Sequence, residues 1–246
     1  VITDGGMAIY TGTCGGTQIG MTSTSSFVVN PSVNTTYFVR GEDGAGCVNE
    51  ATGLCGSVMV TVNAIPGTPT ISAGSATTFC SGGSVMLTSS ASAGNQWMLN
   101  GSPIGGATSQ TFLATGAGNY TVMSTVNGCA SAVSSATTVT VNAIPSTPTI
   151  SAGGTTTFCS GGSVTLTSSA STGNQWMLNG SPIGGATSQT LSATAAGNYT
   201  VMSTVNGCAS AVSSATSVTV NAIPSTPTIS AGSATTFCTG GSVILT

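Results

Sequence analysis

Cysteine is the residue type whose spacing is regular enough to carry chemistry here. Eight cysteines stand at positions 14, 47, 55, 80, 129, 159, 208 and 238. Cys80 and Cys129 lie 49 positions apart, and so do Cys159 and Cys208. Zinc is a poor fit, because the chain has no histidine and no Cys-x-x-Cys pair. Calcium fares little better. It takes about six to eight oxygen ligands, and the only carboxylates are Asp4, Glu42, Asp43 and Glu50. Catalysis has no base to work with. From Ala51 to Thr246 there is no Asp, Glu, Lys, Arg or His, and a serine or cysteine nucleophile needs one beside it. The expectation is a non-catalytic chain with no metal and no cofactor.

The elements that position these cysteines come from a repeat. Ile65–Ala143 recurs as Ile144–Ala222 with a period of 79 and no gap, differing at nine positions. A third copy starts at Ile223 and runs to Thr246, and residues 1–64 read as the back part of a diverged copy ending in the same Val-Thr-Val-Asn-Ala. The expected organisation is therefore 1–64 (partial), 65–143, 144–222 and 223–246 (partial). Both ends read as cuts in something longer.

Within a unit the pattern is all-β. Ser84-Val85-Met86-Leu87-Thr88 alternates apolar and polar residues. Gln96-Trp97-Met98-Leu99 runs into an Asn100-Gly101 turn, and Asn119–Val126 into a second turn at Asn127-Gly128. Thr137–Val141 closes the unit. Short strands separated by turn signals predict a sandwich, and no window carries a helical period. Pro145 and Pro148 stiffen the connector between units, so the repeats are expected to form a rod.

Charge is almost absent: Arg40 is the one cation, and the net charge is −3. That excludes the basic footprint of a nucleic-acid binder. The apolar runs are only a few residues long, far from the ~20 of a membrane-spanning helix. Low charge also removes the repulsion that keeps surfaces apart, which favours association.

The units resemble immunoglobulin-like repeats of large secreted cell-surface proteins of Bacteroidota, the type IX-secreted adhesins and gliding-associated proteins. The residues that carry this are Phe79-Cys80-Ser81-Gly82-Gly83-Ser84-Val85, Trp97, Ala117-Gly118-Asn119-Tyr120-Thr121-Val122 and Asn127-Gly128-Cys129. They return at Cys159, Trp176, Tyr199 and Cys208. Tyr10–Gly16 and Thr35–Arg40 look like a sister subtype. The resemblance implies tandem immunoglobulin-like β-sandwiches outside the cell, where disulfides persist. In that setting the two cysteines of each unit read as one bond per domain, Cys80–Cys129 and Cys159–Cys208. An ordinary immunoglobulin topology would put those partners at opposite poles, so bonds between neighbouring domains, such as Cys80–Cys208, stay open. Cys14 and Cys55 are left to each other. Cys47 and Cys238, which align with Cys129 and Cys80, lack partners in their own segments.

Trp97 and Trp176 are expected in the core, with carbohydrate stacking as the sharper alternative. Tyr120 and Tyr199 suit a corner-type hydrogen bond. Asn34, Asn100, Asn119, Asn179 and Asn198 begin Asn-x-Ser/Thr sequences that a chain this rich in Ser and Thr produces by chance.

Two functions compete: a structural stalk or filament segment, and an adhesive module gripping a surface glycan or protein through loops such as Ser102–Gln110. The partners expected for the first are further repeats or head-to-tail copies of the chain. Residues 223–246 followed by 1–64 would make nearly one whole sandwich. If one chain completes the next by strand complementation, an intermolecular Cys238–Cys47 bond is predicted.

Overall fold

The computed structural model describes residues 6–24, 26–42 and 55–246. Asp4, Asp43, Cys47 and Glu50, and the side chain of Glu42, lie outside the described residues. Every regular element described is a strand, and no helix among the described residues is long and apolar enough to cross a membrane. The chain divides into two compact units, Val1–Ser75 with Met86–Ala114 and Gly118–Thr138, and Ala76–Val85 with Thr115–Ala117 and Val139–Thr246.

The N-terminal segment holds β1 (Gly6–Thr11), β2 (Thr17–Thr22), β3 (Thr35–Glu42) and β4 (Gly56–Val60). They form one antiparallel sheet in the order β2-β1-β3-β4. The next repeat runs through β5 (Ile71–Ala73), β6 (Thr78–Cys80), β7 (Val85–Ser89), β8 (Asn95–Leu99), β9 (Ser102–Pro103), β10 (Thr111–Ala114), β11 (Gly118–Val126), β12 (Cys129–Ala130) and β13 (Thr137–Asn142). The following one runs through β14 (Ile150–Ala152), β15 (Thr157–Cys159), β16 (Val164–Ser168), β17 (Asn174–Leu178), β18 (Ser181–Pro182), β19 (Thr190–Ala193), β20 (Gly197–Val205), β21 (Cys208–Ala209) and β22 (Thr216–Asn221).

The sandwich is clearest in β14–β22. One sheet runs β14-β16-β19 and the other β15-β22-β20-β17-β18, with β21 hairpinned onto β20. Three strands facing a larger Greek-key sheet is the immunoglobulin-like arrangement, shared with fibronectin type III domains. Between the sheets lie Val164, Leu166 and Ala193 from one side and Trp176, Tyr199, Val201 and Val218 from the other. These are the inward positions of alternating strands: β16 reads buried, exposed, buried at Val164-Thr165-Leu166.

The turns follow from chemistry. A two-residue hairpin needs positive φ at both central positions, which Asn-Gly tolerates best. Asn179 and Gly180 sit at φ 49° and 81°, Asn206 and Gly207 at 50° and 79°. The expected strands all form, with boundaries within a residue of those read from the pattern. The short strands β5, β6, β9, β10 and β12 carry too few residues to show alternation.

Trp176 is fully buried, and its indole N–H donates to the Ser188 carbonyl at 3.0 Å. Trp97 is equally buried, bonding Ser109 at 2.9 Å. Both are core residues, and neither offers a face to a sugar. Tyr199 donates its hydroxyl to the Ala195 carbonyl at 3.0 Å, a corner-type bond.

Candidate functional site

The cysteines meet in a different order from the pairing preferred on sequence. Cys208 follows the β20–β21 turn and pairs with Val205, while Cys159 pairs with Asn221 at the end of β22. The antiparallel register sets Tyr199 of β20 against Thr216 of β22. Asn221 therefore lies five residues beyond that level in one direction and Val205 six residues beyond it in the other. At ~3.3 Å per residue the two cysteines stand roughly 35 Å apart, whereas a disulfide needs Cα atoms about 4.4–6.8 Å apart. A Cys159–Cys208 bond is thus excluded by topology, and Cys80–Cys129 with it by the repeat. Instead Cys80 bonds Cys208 across 128 positions, with Cα atoms 5.6 Å apart.

Two features bring them together. β6 pairs in parallel with β13, which sets Cys80 beside Asn142 at the exit end of its repeat. The Asn142 side-chain amide then donates to the Asn206 carbonyl at 2.9 Å, in the turn that presents Cys208. One repeat's exit strand is thereby clamped to the next repeat's Asn-Gly-Cys hairpin by an amide bond and a disulfide. Cys208 is buried in this joint, at 1% exposure.

The same parts recur on either side. Asn63 donates its amide to the Asn127 carbonyl at 2.9 Å, and the half-buried Cys129 thiol donates to the Asn63 carbonyl at 3.6 Å. Exposed Cys159 lies beside Asn221, with Ser160 N–H donating to the Asn221 carbonyl at 2.8 Å, as Ser81 does to Asn142 at 2.9 Å. Among the described residues Cys129, Cys159 and Cys238 form no disulfide. Cys14 and Cys55 are bonded to each other. Cys47 lies outside the described residues.

The sequon asparagines have structural employment. Asn34 Oδ1 accepts from Val62 N–H, Asn100 Oδ1 from Asn119 N–H, and Asn179 Oδ1 from Asn198 N–H. Asn119 and Asn198 Oδ1 accept from the hydroxyls of Thr138 and Ser217. These amides fasten turns and strand pairs.

The N-terminal sheet has its own feature. Register places Val39 opposite Ile9, as Val201 stands opposite Trp176, and Thr35 opposite Val60, as Gly197 stands opposite Val218. Ile9, Tyr37, Val39 and Val60 are thus the counterparts of the core residues Trp176, Tyr199, Val201 and Val218. Here they line an open apolar groove of about 440 Å³, with Phe27 and Val29 at its side. Arg40 places its guanidinium 4.8 Å from the centre of the Tyr10 ring. Among the described residues no cluster of three or more metal-ligating side chains forms.

No family model matches the chain, and no curated protein does. Among solved structures it is similar to a chain in the crystal structure of a mouse coronavirus receptor-binding domain complexed with its murine receptor. The identity is 17%, covering 63% of this chain and 100% of that one, at a TM-score of 0.43. It is also similar to the fibronectin(III)-like modules of Clostridium thermocellum CbhA, at 17% identity over 62% of this chain and 94% of that one, with a TM-score of 0.37. The sandwich assignment rests on the strand order and core described above.

Proposed function

We infer that this chain is a non-catalytic structural segment of an extracellular stalk or filament on a bacterial surface. The observation that carries the reading is the Cys80–Cys208 bond beside the Asn142–Asn206 clamp. A covalent link from one repeat to the next adds nothing to the core of either. It resists separation of neighbours under tension, which is what a stalk requires. A disulfide of this span also fits an oxidising, extracellular compartment. The absence of any His, Asp, Glu, Lys or Arg after Glu50 supports a chain without catalysis. The motif resemblance supports a source among secreted surface proteins of Bacteroidota.

Pulling the oxidised chain by its termini tests this. The segment between the two cysteines cannot extend, so Cys80→Ser/Cys208→Ser should lengthen the fully stretched chain by roughly 420–460 Å, the reach of 128 residues. Equal lengths for variant and parent would remove the basis of the reading.

A second reading, an adhesive module for a glycan or protein, is favoured by the N-terminal segment. It holds every charged residue, the Arg40–Tyr10 contact and the apolar groove. The Ser102–Gln110 loop gives it less support: its residues are small and polar around Ile104 and are repeated without change at 181–189.

A further inference from the structure

We propose that the bare N-terminal sheet and the Asn63–Cys129 joint form a socket for residues 229–245 of a second copy of this chain, locked by a Cys129–Cys238 disulfide. The evidence is the completed version of the same site inside the molecule. In β14–β22 the face made by Trp176, Tyr199, Val201 and Val218 is covered by Val164 and Leu166 of β16. The corresponding face at Ile9, Tyr37, Val39 and Val60 is an open groove.

The matching cover stands uncovered elsewhere in the chain. One period after Val164 and Leu166 come Val243 and Leu245. Leu166 is 0% exposed in its core, whereas Leu245 is 59% exposed. Phe158 packs partly buried against the core, and its counterpart Phe237 is 53% exposed. The segment nevertheless holds the right pairing: Ala231 bridges Leu245, as Ala152 pairs with Leu166. It is a front half-sandwich presenting its apolar side chains to solvent, with no charge to oppose docking.

The cysteines identify the occupant independently. In the formed joint, the Thr78-Phe79-Cys80 strand lies parallel to the exit strand ending at Asn142, and Cys80 reaches the hairpin cysteine of the next repeat. At Asn63 the exit strand, the amide clamp and the hairpin cysteine are all in place. What would complete it is a Thr-Phe-Cys strand. Residues 236–238 are Thr-Phe-Cys, and Cys238 is exposed and unbonded. This replaces the Cys238–Cys47 bond expected from sequence, because the staple crosses to the following repeat instead of closing its own. Bond formation joins the Cys129 and Cys238 sulfurs, releasing two protons and two electrons to a thiol-oxidising disulfide such as oxidised glutathione.

The inference gives the stalk reading a means of growth but rests on separate observations, and the two fail separately. The full chain is prepared as equal parts of isotopically heavy and light copies, oxidised with glutathione disulfide, thiol-blocked and digested. Expected is a Cys129–Cys238 peptide pair of which half is heavy–light hybrid. Under reducing conditions sedimentation should still show whole multiples of the chain mass. Leu245→Asp should raise the concentration needed for assembly at least ten-fold while leaving the thermal midpoint of the complete repeats unchanged. A single chain at every concentration with both thiols alkylated would overturn the proposal. So would a Cys129–Cys238 pair with no hybrid, or Cys129 bonded to any other cysteine. None of these outcomes touches the response of Cys80–Cys208 to force.

Discussion

Trp176 illustrates how much one side chain carries in so small a core. It has no exposed surface, and it satisfies its single donor on Ser188. Trp176→Ala should destabilise its repeat by about 3–5 kcal/mol through lost burial and the cavity left behind, read from the denaturant midpoint. The type of residue and its place in an apolar stretch made this role legible in the sequence. The asparagine amides were not legible in the same way. Asn142 looks like any polar strand end, and only the placement of Asn206 gives its side chain a partner.

At the level of strands and turns, glycines separate two kinds of constraint. Gly180 and Gly173 both have positive φ, 81° and 70°. A Cβ at Gly180 would meet nothing within 4 Å, while at Gly173 it would collide with the Thr204 carbonyl oxygen. Gly180→Ala should therefore cost only the backbone penalty of about 1–2 kcal/mol. Gly173→Ala should add a further ~1–3 kcal/mol of overpacking. Thermal unfolding of the two variants side by side checks the order. The Asn-Gly signal at 179–180 was readable beforehand, because the turn type demands those residues. The need for glycine at 173 was not, since it comes from a neighbouring strand.

For the whole molecule, the lack of charge makes a direct prediction. Beyond Glu50 there is no side chain that titrates between about pH 5 and 7. The folded and unfolded repeats then bind equal numbers of protons, so the slope of stability against pH is zero there. The unfolding midpoint of the repeats should stay constant over that range and respond little to salt screening, measured calorimetrically. A slope would require a contribution from the carboxylates of the first 64 residues. The all-β class, the period of 79, the hairpin turns and the buried tryptophans were determined by the sequence alone, because strand alternation, turn dihedrals and apolar burial are local or periodic properties. Which cysteines meet was decided only by the tertiary structure. Sulfur pairing depends on the pole each strand end reaches, and the parallel β6–β13 pairing together with the length of β11 and β20 carries the two cysteines of one repeat to opposite ends. The chemistry that opened the sequence is therefore that of a joint between repeats.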